Sequence, residues 1–225
     1  MKNLIYRFVL LVTVVFCIQS FLFTNQADAF VSWSNSTGSA TYFDWQNGGS
    51  NFGLFGDPTL VSGNTFLFTP ENFIAISIDG EIGSASDTLS FDLIAHANVL
   101  ITEIQISEYG DYGILDAGFV DAYSILQADN LVTFETESVN LITNPLMPIF
   151  SGTGEWTADG AVSFSGWTHL RVTLDNNLLT ISDPGSVAFI QKKILGDSVA
   201  ITIIPEPATI AALAAGMAFL RRKKH

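Results

Sequence analysis

The chain has 225 residues, of which 48% are hydrophobic and only 14% are charged, and its formal net charge at pH 7 is −13. This apolar content excludes a disordered chain, because enough apolar surface is available to offset the entropy lost on folding. The acidic balance makes nucleic acid a poor partner, since it repels phosphate backbones. The single cysteine, Cys17, excludes a disulfide framework.

Residues 1–29 have the pattern of a secretory signal peptide. Two basic residues near the start are followed by an apolar run at 8–18. Ala27 and Ala29 then place small side chains at the −3 and −1 positions before Phe30. We therefore expect export by the general secretion machinery and cleavage by signal peptidase before Phe30.

Residues 30–204 have the pattern of a β-rich domain. Leu89, Phe91 and Leu93 alternate with polar residues, as in a strand with one buried face. Segments of this kind, or rich in β-forming residues, occur at 73–78, 89–93, 100–106, 168–174, 187–190 and 199–204. The turn-forming groups are Asn47-Gly48-Gly49, Asp57-Pro58, Ser62-Gly63-Asn64, Asp79-Gly80, Asp159-Gly160, Asp175-Asn176-Asn177 and Asp183-Pro184-Gly185. The pattern predicts one all-β domain, a two-sheet antiparallel β-sandwich that is jelly-roll-like in the broad sense.

Residues 205–225 form a three-part C-terminal segment. Pro205, Glu206 and Pro207 come first, an uncharged Ala-rich run at 208–220 follows, and a basic cluster ends the chain. As a helix the apolar run would rise about 20 Å. That is short of the roughly 30 Å hydrocarbon core of a bilayer, so a transient membrane anchor is favoured over a permanent one.

This C-terminal pattern resembles the PEP-CTERM sorting signal of Gram-negative bacteria that make exopolysaccharide. The residues that carry the resemblance are Pro205, Glu206, Pro207, the apolar run, Arg221 and Arg222. The resemblance implies recognition by an exosortase, a short transmembrane helix in the precursor, and loss of the tail during sorting. The expected destination is the inner membrane first and the cell surface or extracellular matrix afterwards.

The sequence carries few signals for catalysis. His96 and His169 lie in or beside predicted strands, and no nucleophile motif or histidine-based metal spacing accompanies them. The acids that could serve a glycoside hydrolase by residue type alone are Glu103, Glu108, Glu135, Glu137 and Glu155. We therefore expect no catalytic residue, no cofactor and no defined metal site. Acids near turns could bind a structural Ca²⁺ ion, but the sequence does not define which residues would be its ligands.

Aromatic residues suggest a glycan contact, because sugar-binding surfaces commonly present aromatic faces beside polar side chains. Trp156, Tyr109 and Tyr112 are the candidates, and Trp156 is expected to be the most exposed because glycines flank its segment. Arg171 could bind an anionic sugar or pair with one of the many acids.

Three functions are compatible with these patterns. The first is an exported, exosortase-sorted surface or matrix protein, whose β-sandwich has a structural or adhesive role in exopolysaccharide and biofilm. The alternative is a carbohydrate-binding module in the same location, with or without stabilising calcium. The third is a secreted glycoside hydrolase-like enzyme.

Overall fold

The computed structural model describes residues 30–192 and 198–206. The predicted signal peptide at 1–29, the apolar run at 208–220 and the basic C-terminal cluster lie outside these ranges. Within the described residues the chain consists of β-strands and their connections. No helix long and apolar enough to cross a membrane occurs in this part of the chain.

Two antiparallel sheets make up the described fold. In spatial order the first sheet contains β1 (Val31–Ser32), β3 (Phe43–Ser50), β7 (Ile82–Ala95), β13 (His169–Ser182), β9 (Gly118–Asn130) and β10 (Thr136–Asn140), with β2 (Gly38–Ser39) paired to β3. The second contains β11 (Ile142–Asn144), β12 (Gly152–Trp167), β8 (Ile101–Leu115), β15 (Val199–Pro205), β5 (Thr65–Phe68) and β4 (Thr59–Val61). There β14 (Val187–Lys192) also pairs with β8, and β6 (Ile74–Ile78) pairs with β14. The predicted two-sheet antiparallel sandwich is thus confirmed.

The core lies between the inner faces of the two sheets. Leu89, Phe91 and Leu93 of β7 are fully buried there, as their alternation predicted. Aromatic rings fill one end of the core, where Trp33 lies 5.4 Å from Phe91 between ring centroids. Burying a large apolar side chain of this kind contributes about 1.5–3 kcal/mol, so the core is the main source of stability.

Three predicted turns are wrong, because the residues lie inside long strands. Asn47-Gly48-Gly49 falls in β3, Asp159-Gly160 in β12 and Asp175-Asn176-Asn177 in β13. In β3 the irregularity is a bulge, with the register shifting between Gln46 and Gly49. In β13 the pairing continues without interruption, so the side chains of these three polar residues alternate between the two faces of the sheet.

The chain leaves the second sheet at the start of the predicted sorting motif. Pro205 is the last residue of β15 and pairs with Ile101 of β8. The backbone N–H of Glu206 donates to the carbonyl of Leu100 at 2.7 Å. The first two residues of the motif are therefore attached directly to the sheet.

Candidate functional site

An open groove of about 280 Å³, here called the outer groove, lies on the solvent side of the first sheet. Strands β7, β13 and β9 form its floor, and their register aligns the lining side chains in rows. Asn177 of β13 pairs with Ser86 of β7 on one side and with Tyr123 of β9 on the other. In the next row, Asp175 lies between Thr88 and Ile125.

Two exposed aromatic side chains line the outer groove. Tyr123 is 53% exposed and Phe52 is 52% exposed. The Tyr123 hydroxyl donates to the Asn140 Oδ1 of β10 at 3.2 Å, which orients the phenol ring over the sheet. Large apolar surfaces left in water at a concave site are typical of ligand contacts.

The buried carboxylate of Asp87 holds the loop that carries Phe52. Its Oδ1 accepts the backbone N–H of Phe52 at 2.9 Å, and its Oδ2 accepts that of Leu54 at 2.8 Å. The Ser50 hydroxyl also donates to Oδ2, at 2.8 Å. Further along, the N–H of Asn51 donates to the Thr88 carbonyl at 3.0 Å. These bonds fix the loop against β7 and so place the Phe52 ring at the groove.

The polar side chains of the outer groove can accept and donate hydrogen bonds. Thr88 Oγ1 donates to Asp175 Oδ1 at 2.5 Å, which orients the carboxylate and leaves acceptor capacity on it. Asn177 is exposed in the adjacent row and offers an amide donor and an amide acceptor. An aromatic ring beside such groups suits a sugar. The ring can contact the apolar C–H patches of a pyranose, and the polar side chains can bond to its hydroxyl groups.

A larger concavity of about 440 Å³ lies on the solvent side of the second sheet. Small or polar residues of β8, β12 and β15 line it, among them Gln105, Ser107, Asp159, Ala161 and Thr202. Although larger than the outer groove, it offers no aromatic face among those lining residues, so it is the weaker candidate for binding a sugar.

The three aromatic residues predicted to contact glycan do not form a site, and the predicted exposure of Trp156 is wrong. Trp156 is 1% exposed, because alternation along β12 directs its side chain into the core. Its indole Nε1–H donates to the Gln191 carbonyl at 3.3 Å. Tyr109 and Tyr112 are half-buried, and their spacing on β8 puts them on opposite faces of the sheet. The residues that sequence reasoning missed are Phe52 and Tyr123.

None of the candidate acids lines the outer groove. Glu103 accepts the Gln105 amide at 2.6 Å, and Glu135 accepts the Thr133 hydroxyl at 2.9 Å. Glu135 and Glu137 lie together at a separate surface concavity, and Glu108 is buried. Within residues 30–192 and 198–206 no group of three or more histidine or acidic side chains could hold a metal ion.

Arg171 pairs with an acid on the solvent side of the first sheet. Its Nε donates to Asp92 Oδ1 at 2.7 Å, and Asn47 donates to Oδ2 at 2.8 Å. Burial opposes the charged form of Asp92, but the hydrogen bonds from Arg171 and Asn47 prevail and lower its pKa. The same carboxylate raises the pKa of Arg171. This guanidinium is therefore occupied by Asp92.

A second polar group, here called the core cluster, lies between the sheets. It consists of Glu108 (β8), Ser124 (β9), Asn176 (β13) and Lys192 (β14), all buried. Lys192 Nζ lies 2.9 Å from Glu108 Oε2, and Asn176 Nδ2 donates to Glu108 Oε1 at 2.6 Å. Burial lowers the pKa of Lys192, against the opposing effect of the Glu108 charge. No sequence motif pointed to this cluster.

The strands themselves define an antiparallel β-sandwich, and comparison with known proteins adds no family to that description. No protein-family model and no curated protein matches the chain. TmCBM61 in complex with β-1,4-galactotriose is 11% identical, with 78% of this chain and 100% of that chain covered and a TM-score of 0.25. The enzymatically active domain of tailspike protein 4 of bacteriophage CBA120 is 12% identical, with 77% and 21% covered and a TM-score of 0.25. TmCBM27, a carbohydrate-binding module described for mannan recognition, is 12% identical, with 76% and 87% covered and a TM-score of 0.17. Likeness of this size carries no functional weight.

Proposed function

We propose that the β-sandwich is a non-catalytic module that binds an uncharged polysaccharide in the outer groove. The observation that carries this proposal is the placement of two exposed aromatic rings, Phe52 and Tyr123, at one groove with Asp175 and Asn177 between them. Aromatic faces supply apolar contact to sugar rings, and the carboxylate and amide supply oriented hydrogen bonds to hydroxyls.

The charge of the groove selects among glycans. Asp175 accepts hydroxyl hydrogens but repels a carboxylate or sulfate on a sugar. The net charge of −13 acts in the same direction at longer range. Arg171, which could have bound an anionic sugar, is paired with Asp92. A neutral chain of hexoses therefore fits better than an acidic one.

The proposed place of action is the outside of the cell. The signal-peptide pattern at 1–29 and the resemblance of residues 205–225 to an exosortase-recognised signal support export and sorting to the surface or matrix. There the module would tie the protein to exopolysaccharide, in an adhesive role in biofilm or floc. Removal of the tail would leave a strongly acidic protein held by its glycan contacts.

The direct experiment is a polysaccharide screen with the full chain. The protein, purified in detergent, is applied to a glycan array that carries neutral and acidic polysaccharides, including that of the producing cell, with and without Ca²⁺. We expect binding to neutral chains and much weaker binding to acidic ones. Failure to bind any glycan under either condition would overturn the proposal.

A second assay separates binding from catalysis. The same polysaccharides are incubated with the protein, and newly formed reducing ends are measured over time. A binding module releases none. Sustained release by the wild-type chain, abolished by substitution of a carboxylate, would replace the non-catalytic proposal with the hydrolase alternative.

A further inference from the structure

We propose that Lys192 and Asn176 become joined by an intramolecular amide bond between Nζ and Cγ, with Glu108 as the group that transfers the protons. The inference rests on the core cluster and is independent of glycan binding. It assigns a covalent cross-link between the two sheets of the sandwich, because β14 belongs to the second sheet and β13 to the first.

One carboxylate engages both reacting groups. Glu108 Oε2 lies 2.9 Å from the Lys192 amine, and Oε1 accepts the Asn176 amide at 2.6 Å. All three side chains point inward from different strands and are shielded from solvent. Because one carboxylate holds the amine and the carboxamide in a dry interior, the orientation of both groups is restricted. Such restriction lowers the entropy cost of bringing the two groups together.

The Lys192 amine is placed to lose a proton to Glu108 and then to act as a nucleophile. Nζ lies 2.9 Å from Glu108 Oε2, the carboxylate oxygen that can take its proton. Aromatic rings enclose it, with Nζ 5.4 Å from the Phe73 centroid and 5.3 Å from that of Trp156. Burial lowers the pKa of Lys192, which favours the neutral amine that nucleophilic attack requires.

The electrophile has a hydrogen-bond donor for its oxygen. The single hydroxyl hydrogen of Ser124 can be donated to Asn176 Oδ1 at 2.8 Å or to Glu108 Oε2 at 2.9 Å. When it is donated to Oδ1, it polarises the carbonyl and stabilises the negative charge that develops there during attack. Ser124 is buried, so water does not compete for this bond.

The reaction balances without any further reactant. Glu108 takes a proton from the Lys192 ammonium, and the neutral Nζ attacks Cγ of Asn176 to give a tetrahedral intermediate. A second hydrogen leaves Nζ through Glu108 and is delivered to Nδ2. The Cγ–Nδ2 bond then breaks and ammonia departs. Nothing is oxidised or reduced, and the buried ion pair becomes a neutral amide beside a neutral carboxylic acid. Removing two buried charges favours the product.

Peptide mass mapping tests the proposal on the full chain. Trypsin cleaves after Arg171, Lys192 and Lys193, but a lysine in amide linkage is not cut. We expect a peptide spanning 172–193, uncut after Lys192 and lighter than its sequence mass by one ammonia, with fragment ions that join Asn176 to Lys192. A folded wild-type protein that gives an unmodified peptide 172–192 would overturn the proposal. Succinimide formation at Asn176 also loses ammonia, but it leaves Lys192 open to trypsin and would count against the cross-link.

Variants separate the roles of the three residues. Glu108→Gln keeps the side-chain shape but cannot shuttle protons, so Lys192 should become cleavable and the mass loss should disappear. Asn176→Asp keeps an electrophilic carbon and should lose water instead of ammonia. Full cross-linking in Glu108→Gln would refute the role of the carboxylate. Should that variant fail to fold, the wild-type peptide map alone decides whether the bond exists.

Discussion

Trp156 lies directly opposite Gly110 in the register of β12 and β8, and its indole occupies the space that a side chain at position 110 would need. A Cβ at Gly110 would lie 2.4 Å from the Trp156 Nε1 and 2.2 Å from the Gln191 carbonyl oxygen. The glycine thus leaves room in the core for the indole, which forms one wall of the core cluster.

Substitution of Gly110 by alanine should destabilise the domain. The backbone carbonyl of Gln191 cannot move without disturbing the pairing of β14, so we expect a loss of about 1–3 kcal/mol from overpacking. Urea unfolding followed by tryptophan fluorescence measures the change. Ser107→Ala, on the exposed face of the same strand, is the control and should stay within about 0.5 kcal/mol of the wild type. Equal stability of the Gly110→Ala variant would show that Trp156 does not lie there.

Asp87 should control the loop of the outer groove. Asp87→Ala removes the acceptor of two backbone N–H groups and of the Ser50 hydroxyl, so stability should fall by about 1–3 kcal/mol. Hydrogen exchange at Phe52 and Leu54 should quicken at the same time. Ser50→Ala keeps the carboxylate but removes the hydroxyl that donates to it and that accepts the Gly53 N–H, so it should cost about 1–2 kcal/mol. Unchanged exchange at both amides in Asp87→Ala would contradict the proposed positioning role.

The ion pair of Asp92 and Arg171 should give a defined pH dependence. The folded-state pKa of Asp92 is lowered, so its contribution to stability is present above the unfolded-state pKa of about 3.9 and is lost as the pH falls through the folded-state value. His169 lies close enough to act in the same direction. The difference in unfolding free energy between wild type and Asp92→Asn should therefore stay constant near neutral pH and shrink in acid. A difference undiminished throughout the acid range would argue against the pair.

The strand pattern predicted the sandwich because alternation is a local property of the sequence. Leu89, Phe91 and Leu93 were assigned to a buried face and lie there. The turn predicted at Asp175-Asn176-Asn177 was wrong. The prediction gave more weight to these turn-forming residue types than to the apolar–polar alternation on either side of them. Leu174 and Leu178 are both buried, so the strand continues between them. Asn176 then faces the core cluster, while Asp175 and Asn177 face the outer groove.

The sites themselves could not be predicted, because both depend on contacts between distant strands. Tyr123 and Phe52 are far apart in sequence and line one groove only because β13 joins β7 to β9 and Asp87 holds the Phe52 loop against β7. Nothing in the sequence around Lys192, which is followed by a second lysine, marks it as buried, yet the period-two pattern of β14 directs it inward. Trp156 was expected at the surface because glycines flank its segment. The room that Gly110 leaves for its indole becomes evident only once β8 and β12 are paired.

The central claim is that the outer groove binds glycan, and a comparison of two tyrosine variants tests it most directly. Tyr123→Ala removes a ring from the groove, whereas Tyr42→Ala removes an exposed tyrosine elsewhere on the fold. With the best neutral polysaccharide from the screen, titration calorimetry should show Tyr123→Ala binding about tenfold more weakly, as expected for the loss of about 1.4 kcal/mol of stacking. Tyr42→Ala should bind like the wild type. Undiminished binding by a folded Tyr123→Ala variant, or an equal loss in Tyr42→Ala, would contradict the assignment of the groove.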